Sequence, residues 1–303
     1  MRLFVAGIIK NELPGLLEWI AYHRVLGVSG FLIADNGSTD GSAELLKQLA
    51  RLGIVTYMDF PSLEGQKPQL PAYTKLLRTC PSTADLLAFI DADEFLMPQD
   101  VHTSLPDALR PIFEDENISA LALNWANFGS NGELFKEEGL VIERFNRRAP
   151  QSFNVHHNFK TIVRPIRIEK FLNPHFAELR YGRYVDAQSR DLILHPKHGN
   201  GVSAEVVWSG LRVNHYPVKS LEEFLLGKSQ RGSAATANRV KHKAYFKSHD
   251  RNDEECNIAK SLSSRVHDEI ILLTNMIASL SVVEENKVRL SLPKWLKLKI
   301  RWS

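Results

Sequence analysis

Leu86-Leu87-Ala88-Phe89-Ile90 is an unbroken apolar run that stops on Asp91-Ala92-Asp93-Glu94, and this junction constrains the fold more than any other stretch. A short apolar run without alternation reads as a strand buried on both faces, the kind found in parallel sheets. Open α/β sheets bind ligands outside the carboxyl ends of such strands. With Asp91 as the last strand residue, period-two alternation sends Asp91 and Asp93 to one side, with only Ala92 between them. Two close carboxylates repel unless a cation sits between them. Their hard oxygens suit Mg²⁺ or Mn²⁺, which take further ligands from water and from phosphate groups. The alternative is a strand end whose solvated acids cap the next turn.

Before this junction one pattern repeats. Leu3-Phe4-Val5-Ala6-Gly7-Ile8-Ile9 is a first buried strand; Asn11 reads as an N-cap, Pro14 suits a first helical turn, and Leu16, Trp19, Ile20, His23 and Leu26 form a helical stripe up to Gly27. Residues 31–34 repeat the strand, Asp35-Asn36-Gly37-Ser38-Thr39-Asp40-Gly41 the loop, and Leu45, Leu46 and Leu49 the helix, before a third strand at 54–58. Alternating strands and helices with short connections predict a doubly wound, mainly parallel α/β sheet. A helix around 72–79 leads to the strand ending at Asp91, and a helix at 105–113 and a strand at 118–123 follow. Short strands at 141–145, 160–164, 192–194 and 211–213 then alternate with loops rich in His, Arg and Asn. Residues 220–232 read as a helix with an acidic start and a basic end.

The bulk properties exclude more than they assign. A chain of 303 residues, 44% hydrophobic, can bury a sizeable core, and a net charge of +3 is too mild to argue for nucleic acid. Cys80 and Cys256 lie far apart with no metal-type spacing, which predicts a reducing compartment. The apolar run after Met1-Arg2 is short for a signal peptide, and no apolar segment reaches membrane-span length. Neither a GxGxxG nor a GxxxxGK[ST] fingerprint is present, which argues against a dinucleotide oxidoreductase and a P-loop NTPase.

Taken in order, Lys10-Asn11-Glu12, the loop from Asp35 to Gly41 and Ile90-Asp91-Ala92-Asp93-Glu94-Phe95 resemble the family 2-like glycosyltransferases of GT-A fold, in the subgroup whose Asp-X-Asp motif reads Asp-Ala-Asp-Glu-Phe. The likeness continues through Asn124-Trp125-Ala126-Asn127-Phe128-Gly129-Ser130, Lys160-Thr161-Ile162-Val163-Arg164-Pro165 and Asn214-His215-Tyr216 to about residue 232. It implies a GT-A-like fold and a metal-dependent transfer from a nucleoside diphosphate sugar, uridine-based, to a saccharide or glycolipid acceptor. By the resemblance Asp35, Asn11 and Glu12 face the nucleoside, and Gln69 and Lys75 the diphosphate or sugar. Asp91 faces ribose or metal, and Asp93 and His215 complete the Mn²⁺ or Mg²⁺ site, with His175 and His195 as alternative histidines. Lys219, Lys228 and Arg231 lie on or near one helix and would steady the leaving diphosphate. Inversion needs a carboxylate base, for which Glu133 and Asp191 are the candidates, and Trp125 would stack on an acceptor sugar. The competing readings are a sugar nucleotidyltransferase, which should carry a Gly-rich basic loop after the first strand, and a carbohydrate-binding scaffold without turnover.

The resulting organisation is a nucleotide-sugar-binding half at 1–125, an acceptor-side half at 126–232 and a helical extension at 233–303. In the extension Ile258, Leu262, Val266, Ile270, Leu273, Ile277 and Leu280 space a long amphipathic helix, expected to pack on the body. From Lys287 the tail holds Lys287, Arg289, Lys294, Lys297, Lys299 and Arg301 without an acid, interleaved with Trp295 and Trp302. Such a tail suits either an anionic membrane surface or a solvated basic face, and the expected location is cytoplasmic, peripheral on the inner membrane face.

Overall fold

The structure is a computed structural model, and it describes residues 1–63, 65–230 and 240–291. Its main sheet has nine strands: β1 (Leu3–Ile9), β2 (Gly30–Asp35), β3 (Val55–Asp59), β4 (Leu86–Phe89), β5 (Glu94–Pro98), β6 (Ile118–Asn127), β7 (Phe159–Val163), β8 (Arg183–Val185) and β9 (Leu211–His215). The order is β3-β2-β1-β4-β7-β6-β9-β5, with β8 pairing β6 off this path. The first four strands are parallel; β7 runs antiparallel to both neighbours, and β9 runs parallel to β6 and antiparallel to β5. Helices α1 (Leu13–Val25), α2 (Ser42–Arg51) and α3 (Gln69–Arg78) make the parallel crossovers, and α4 (Leu105–Phe113) joins β5 to β6. This is the α/β sheet expected, with a parallel N-terminal side and a mixed remainder.

Three local expectations change. The strand at the acidic junction ends at Phe89 rather than Asp91; Asp91-Ala92-Asp93 is a turn, closed by the Glu94 N–H donating to the Asp91 carbonyl at 3.0 Å, and Glu94 opens a separate strand. The Ile90 carbonyl approaches β1 so closely that a Cβ on Gly7 would lie 2.7 Å from it, so only glycine fits there. The segment at 141–145, read as a strand from Val141 and Ile142, is a helical turn (Val141–Arg144) because buried Glu18 accepts from the Val141 and Ile142 N–H groups at 2.9 and 3.2 Å. A carboxylate on two first-turn donors outweighs β-branched propensity. Asn11 does not cap α1: it takes a left-handed φ of 53°, and its side chain accepts from the Thr39 N–H at 2.8 Å.

Strand β5 is the sheet edge, and α1 covers its free backbone groups. Trp19 Nε1 donates to the Glu94 carbonyl at 2.8 Å, the Tyr22 hydroxyl to the Leu96 carbonyl at 3.1 Å, and the Leu96 N–H to His23 Nε2 at 3.2 Å. His23 Nδ1 faces the Trp19 carbonyl at 2.8 Å, which sets the neutral tautomer with its proton on Nδ1. On the other side of the site the Asn127 N–H donates to His156 Nε2 at 2.8 Å. Two buried imidazoles thus accept backbone amides of two strands that carry the site. The long helix α6 (Ser263–Ser291) follows, after an anchoring segment (Glu254–Glu255) paired with Arg147–Arg148, and packs on α1 as expected, with Val266 and Leu273 buried and Arg24 Nε 2.6 Å from Glu269 Oε1.

Burial pushes both His23 and His156 down to about 4. The unfolded chain takes up protons near pH 6.5 while the folded one does not, so stability is complete above that value and falls as pH drops towards about 4. Urea unfolding followed across this window should show the midpoint falling with acid, and in His23→Gln the pH slope should flatten by about one proton. An unchanged slope would remove His23 from the account.

Candidate active site

The carboxyl ends of β1, β2, β4 and β9 converge on one face. At β1 and β2 the register aligns Ile9 with Asp35. Asp35 is 2% exposed, and its carboxylate accepts from the Ser38 N–H at 3.2 Å and from the Tyr57 hydroxyl at 3.4 Å. The two loops are stitched together: Ser38 Oγ accepts from the Asn11 N–H at 2.9 Å, Ser42 Oγ from the Glu12 N–H at 3.0 Å, and Asp40 from the Leu13 N–H at 3.0 Å. Asn11, Glu12 and Asp35 are therefore held as one rigid rim.

The acidic turn beside this rim is organised by Lys160 of β7, which is 1% exposed. Its ammonium lies 2.8 Å from Asp91 Oδ2 and 3.2 Å from Glu94 Oε2. Gln69, at the start of α3, donates to Asp91 Oδ1 at 3.1 Å, and Glu94 accepts the Asp91 N–H at 2.8 Å. Burial works against the Asp91 charge, but Lys160 holds its carboxyl below the usual range. Burial dominates at Glu94, which is pushed up to about 8. Lys160 is held well above its usual value despite burial because both acids face it.

Asp93 points the other way. It is met by the Lys228 ammonium and by His215 Nε2 at 3.7 Å, and these outweigh burial to hold its carboxyl well below the usual range. Burial pushes His215 down to about 4. The ring of Trp125 packs on His215 with centroids 4.2 Å apart, and His175 stands behind it at 5.2 Å. Asp93, Glu94 and His215 bring one ligand atom each within 4.8 Å of one another. Glu94 Oε1 and His215 Nδ1 are buried with no hydrogen-bond partner among the described residues.

The structure brings some of the expected residues together and leaves others apart. The acid that joins Asp93 and His215 is Glu94, while Asp91 is engaged by Lys160 and Gln69. Lys75 lies on the exposed face of α3 with its ammonium 5.6 Å from the Phe60 ring. Lys219, at a φ of 54°, sets its ammonium against Gly15 of α1. Glu133 is tied to the buried Arg144 at 2.6 Å, which also binds Glu223 at 2.7 Å, so its carboxylate serves a loop junction. Asp191 pairs with Arg183 at 2.7 Å beside Val185, which aligns with Leu121; Asn127, level with His215, lies six residues further along β6, roughly 20 Å away. Both candidate bases are thus engaged by arginines. His195 sits on a hairpin next to His198, and Arg231 lies outside the described residues.

Sequence reasoning passed over Glu94 and Lys160 as side chains of the site. Their signals were there: a third acid in the junction, and a lysine inside an otherwise apolar strand, which is rarely buried unless paired.

Residues 10–217 match Glycosyltransferase family 92. A glycosyltransferase family 92 protein of Oryza sativa subsp. japonica is 30% identical over 206 residues, covering 64% of this chain and 33% of the relative, and one of Arabidopsis thaliana is 25% identical over 192 residues, covering 60% and 32%. The chain spans about a third of the length of these curated relatives. Among solved structures, Staphylococcus aureus TarS 1-349 in complex with UDP aligns at a TM-score of 0.36 with 11% identity, over 55% of this chain and 47% of that one. The mannosyltransferase PcManGT from Pyrobaculum calidifontis in complex with GDP-Man and Mn²⁺ aligns at 0.32 with 20% identity, over 40% and 35%. The motifs pointed to a family 2-like group; the family matched is a different one. The chain belongs to glycosyltransferase family 92.

Proposed function

We propose that the chain is a metal-dependent glycosyltransferase that moves a sugar from a nucleoside diphosphate donor, with uridine the first base to test, to a hydroxyl of a saccharide or lipid-linked acceptor. The observation that carries this reading is the meeting of Asp93, Glu94 and His215 at the ligand-binding end of the sheet. Two carboxylates and an imidazole fit Mn²⁺ or Mg²⁺, and the unpartnered Glu94 Oε1 is the kind of buried acceptor a cation satisfies. When bound, such an ion neutralises charge on the departing diphosphate.

The chain's own groups supply the rest. Asp35, fixed on the rim with Asn11 and Glu12, offers its carboxylate to nucleoside N–H or hydroxyl groups, as acids at strand tips do in other doubly wound folds. Lys160 keeps the Asp91 carboxylate ionised and oriented beside it, and Gln69 holds the second oxygen. Lys228 presents an ammonium with three donors, so it can keep Asp93 while donating to a phosphate oxygen. Trp125, packed on His215, offers an aromatic wall for an acceptor sugar.

With Mn²⁺ and a panel of nucleotide sugars, the protein should release the diphosphate slowly even without an acceptor. Asp93→Asn should cut that release by about a hundredfold or more. An equally active variant, or release independent of the donor offered, would sink the assignment. No helix among the described residues is long and apolar enough to cross a membrane. The tail expected to touch anionic lipid from the cytoplasmic side lies beyond 291, outside the described residues save its first turn. Truncation after Val283 should lower sedimentation with phosphatidylserine-containing vesicles at low salt; unchanged sedimentation would rule out the tail as a membrane contact.

A further inference from the structure

The family match covers residues 10–217, and the cluster around Asp93 also draws on side chains after it. After β9 the chain caps a short turn (Leu221–Glu223) with Ser220, which accepts from the Glu223 N–H at 3.2 Å, and continues into a wide turn (Phe224–Lys228) that delivers Lys228 to Asp93. Helix α5 (Lys243–His249) then crosses the same end of the sheet. Lys228 Nζ lies 6.0 Å from the Tyr245 ring centroid, and Lys241 Nζ lies over that ring at 4.7 Å. One ring therefore carries two ammonium groups.

The ring is held firmly. Tyr245 stacks on His249 with centroids 3.9 Å apart and planes at 19°, and the His249 carbonyl accepts from Asn127 Nδ2 at 2.7 Å. Asn127 is the β6 residue aligned with His215. Just beyond, Asp250 accepts the Ser130 N–H at 2.7 Å and Asn252 the Asn131 N–H at 2.8 Å. The contact is so close that a Cβ on Gly129 would lie 2.6 Å from the Arg251 carbonyl oxygen. The two lysines are thus fixed to the strand end that carries the candidate metal ligands.

The charges at this mouth do not cancel locally. Asp91 is answered by Lys160 and Asp93 by Lys228, whereas among the described residues no carboxylate lies within ion-pair distance of Lys241. Burial, and then Lys228 beside it, push Lys241 down to about 7. Attraction to an aromatic face offsets only part of such repulsion, and an anion placed between two ammonium groups removes it.

We propose that Lys228 and Lys241, mounted on Tyr245, form a two-lysine clamp for the diphosphate of the donor, so that the segment after residue 217 completes the donor site. This rests on the donor reading above and extends it to a residue the resemblance did not reach. Lys241 is a binding residue here, touching phosphate oxygens; Tyr245 and His249 are positioning residues that hold it.

The test uses the full chain with Mn²⁺ and calorimetric titration of inorganic pyrophosphate, UDP, GDP, uridine and guanosine. Lys241 is only partly buried, so Lys241→Met should fold, with an unchanged thermal transition as the check. Lys241→Met is expected to weaken pyrophosphate and the better of the two nucleoside diphosphates by about tenfold, to leave the nucleosides unaffected, and to be largely rescued in Lys241→Arg. Equal binding of pyrophosphate by variant and wild type, or no pyrophosphate binding by the wild type, would overturn the clamp. A loss of nucleoside affinity in parallel would also overturn it, because that marks a structural lesion. If nucleoside diphosphates bind no tighter than pyrophosphate while the lysine effect persists, the clamp stands and the donor reading falls.

Discussion

A lysine buried to 1% exposure is the constraint on which this site depends. Lys160 rises from the second position of the buried strand β7 into a gap that two acids close, Asp91 from the turn after β4 and Glu94 from the first position of β5. Taking the ammonium out of water is costly, and only opposed charge with good geometry offsets it. Removing both acids would leave the buried ammonium uncompensated, and removing one would leave it with a single partner. The turn between Asp91 and Glu94 is therefore fixed by electrostatics as well as by its backbone hydrogen bond, and Asp93, the residue inside that turn, is aimed away from Lys160 towards His215 and Lys228.

The same interaction explains why three acids in four residues have three different characters. Lys160 cannot satisfy both of its neighbours equally: Asp91, with further help from Gln69, stays ionised, while Glu94, wholly buried beside two other carboxylates, is pushed up to about 8. Asp93 has its own cation. Environment rather than residue type assigns the roles, as happens wherever titratable groups are crowded in a low-dielectric site.

Much of the scaffold was legible in the sequence because it is local. Apolar runs and helical stripes marked β1, β2, β3, α1, α2 and α4 nearly to the residue, and the abrupt stop at Asp91 marked the sheet end where Asp93, Glu94 and His215 meet. Long-range relations were not legible. Nothing in residues 141–145 announces that Glu18, more than 120 positions earlier, will nucleate a helical turn there, and nothing near Glu133 announces Arg144. At the junction itself the apolar character continues through Phe95 and Leu96, which hides the fact that Glu94 begins a new strand on the opposite edge of the sheet, beside His215. Periodicity reports which face a side chain takes; it does not report which element will lie against it.

That distinction also separates the region matched to the family from the segments that follow it. The matched region supplies the rim around Asp35, the acidic turn, Lys160 and His215, all carried on strand ends whose positions follow from the sheet. The side chains standing opposite, Lys228, Lys241 and Tyr245, come from later segments, and the α5 segment is tied down by polar contacts to Asn127, Ser130 and Asn131 and by close approach to the glycine at 129. Such ties fix position without needing a hydrophobic pattern, which is why α5, with no buried residue of its own, carries so weak a sequence signal. The strand tips are thus placed by the sheet and the groups facing them by local polar ties, and in this molecule those facing groups are cationic.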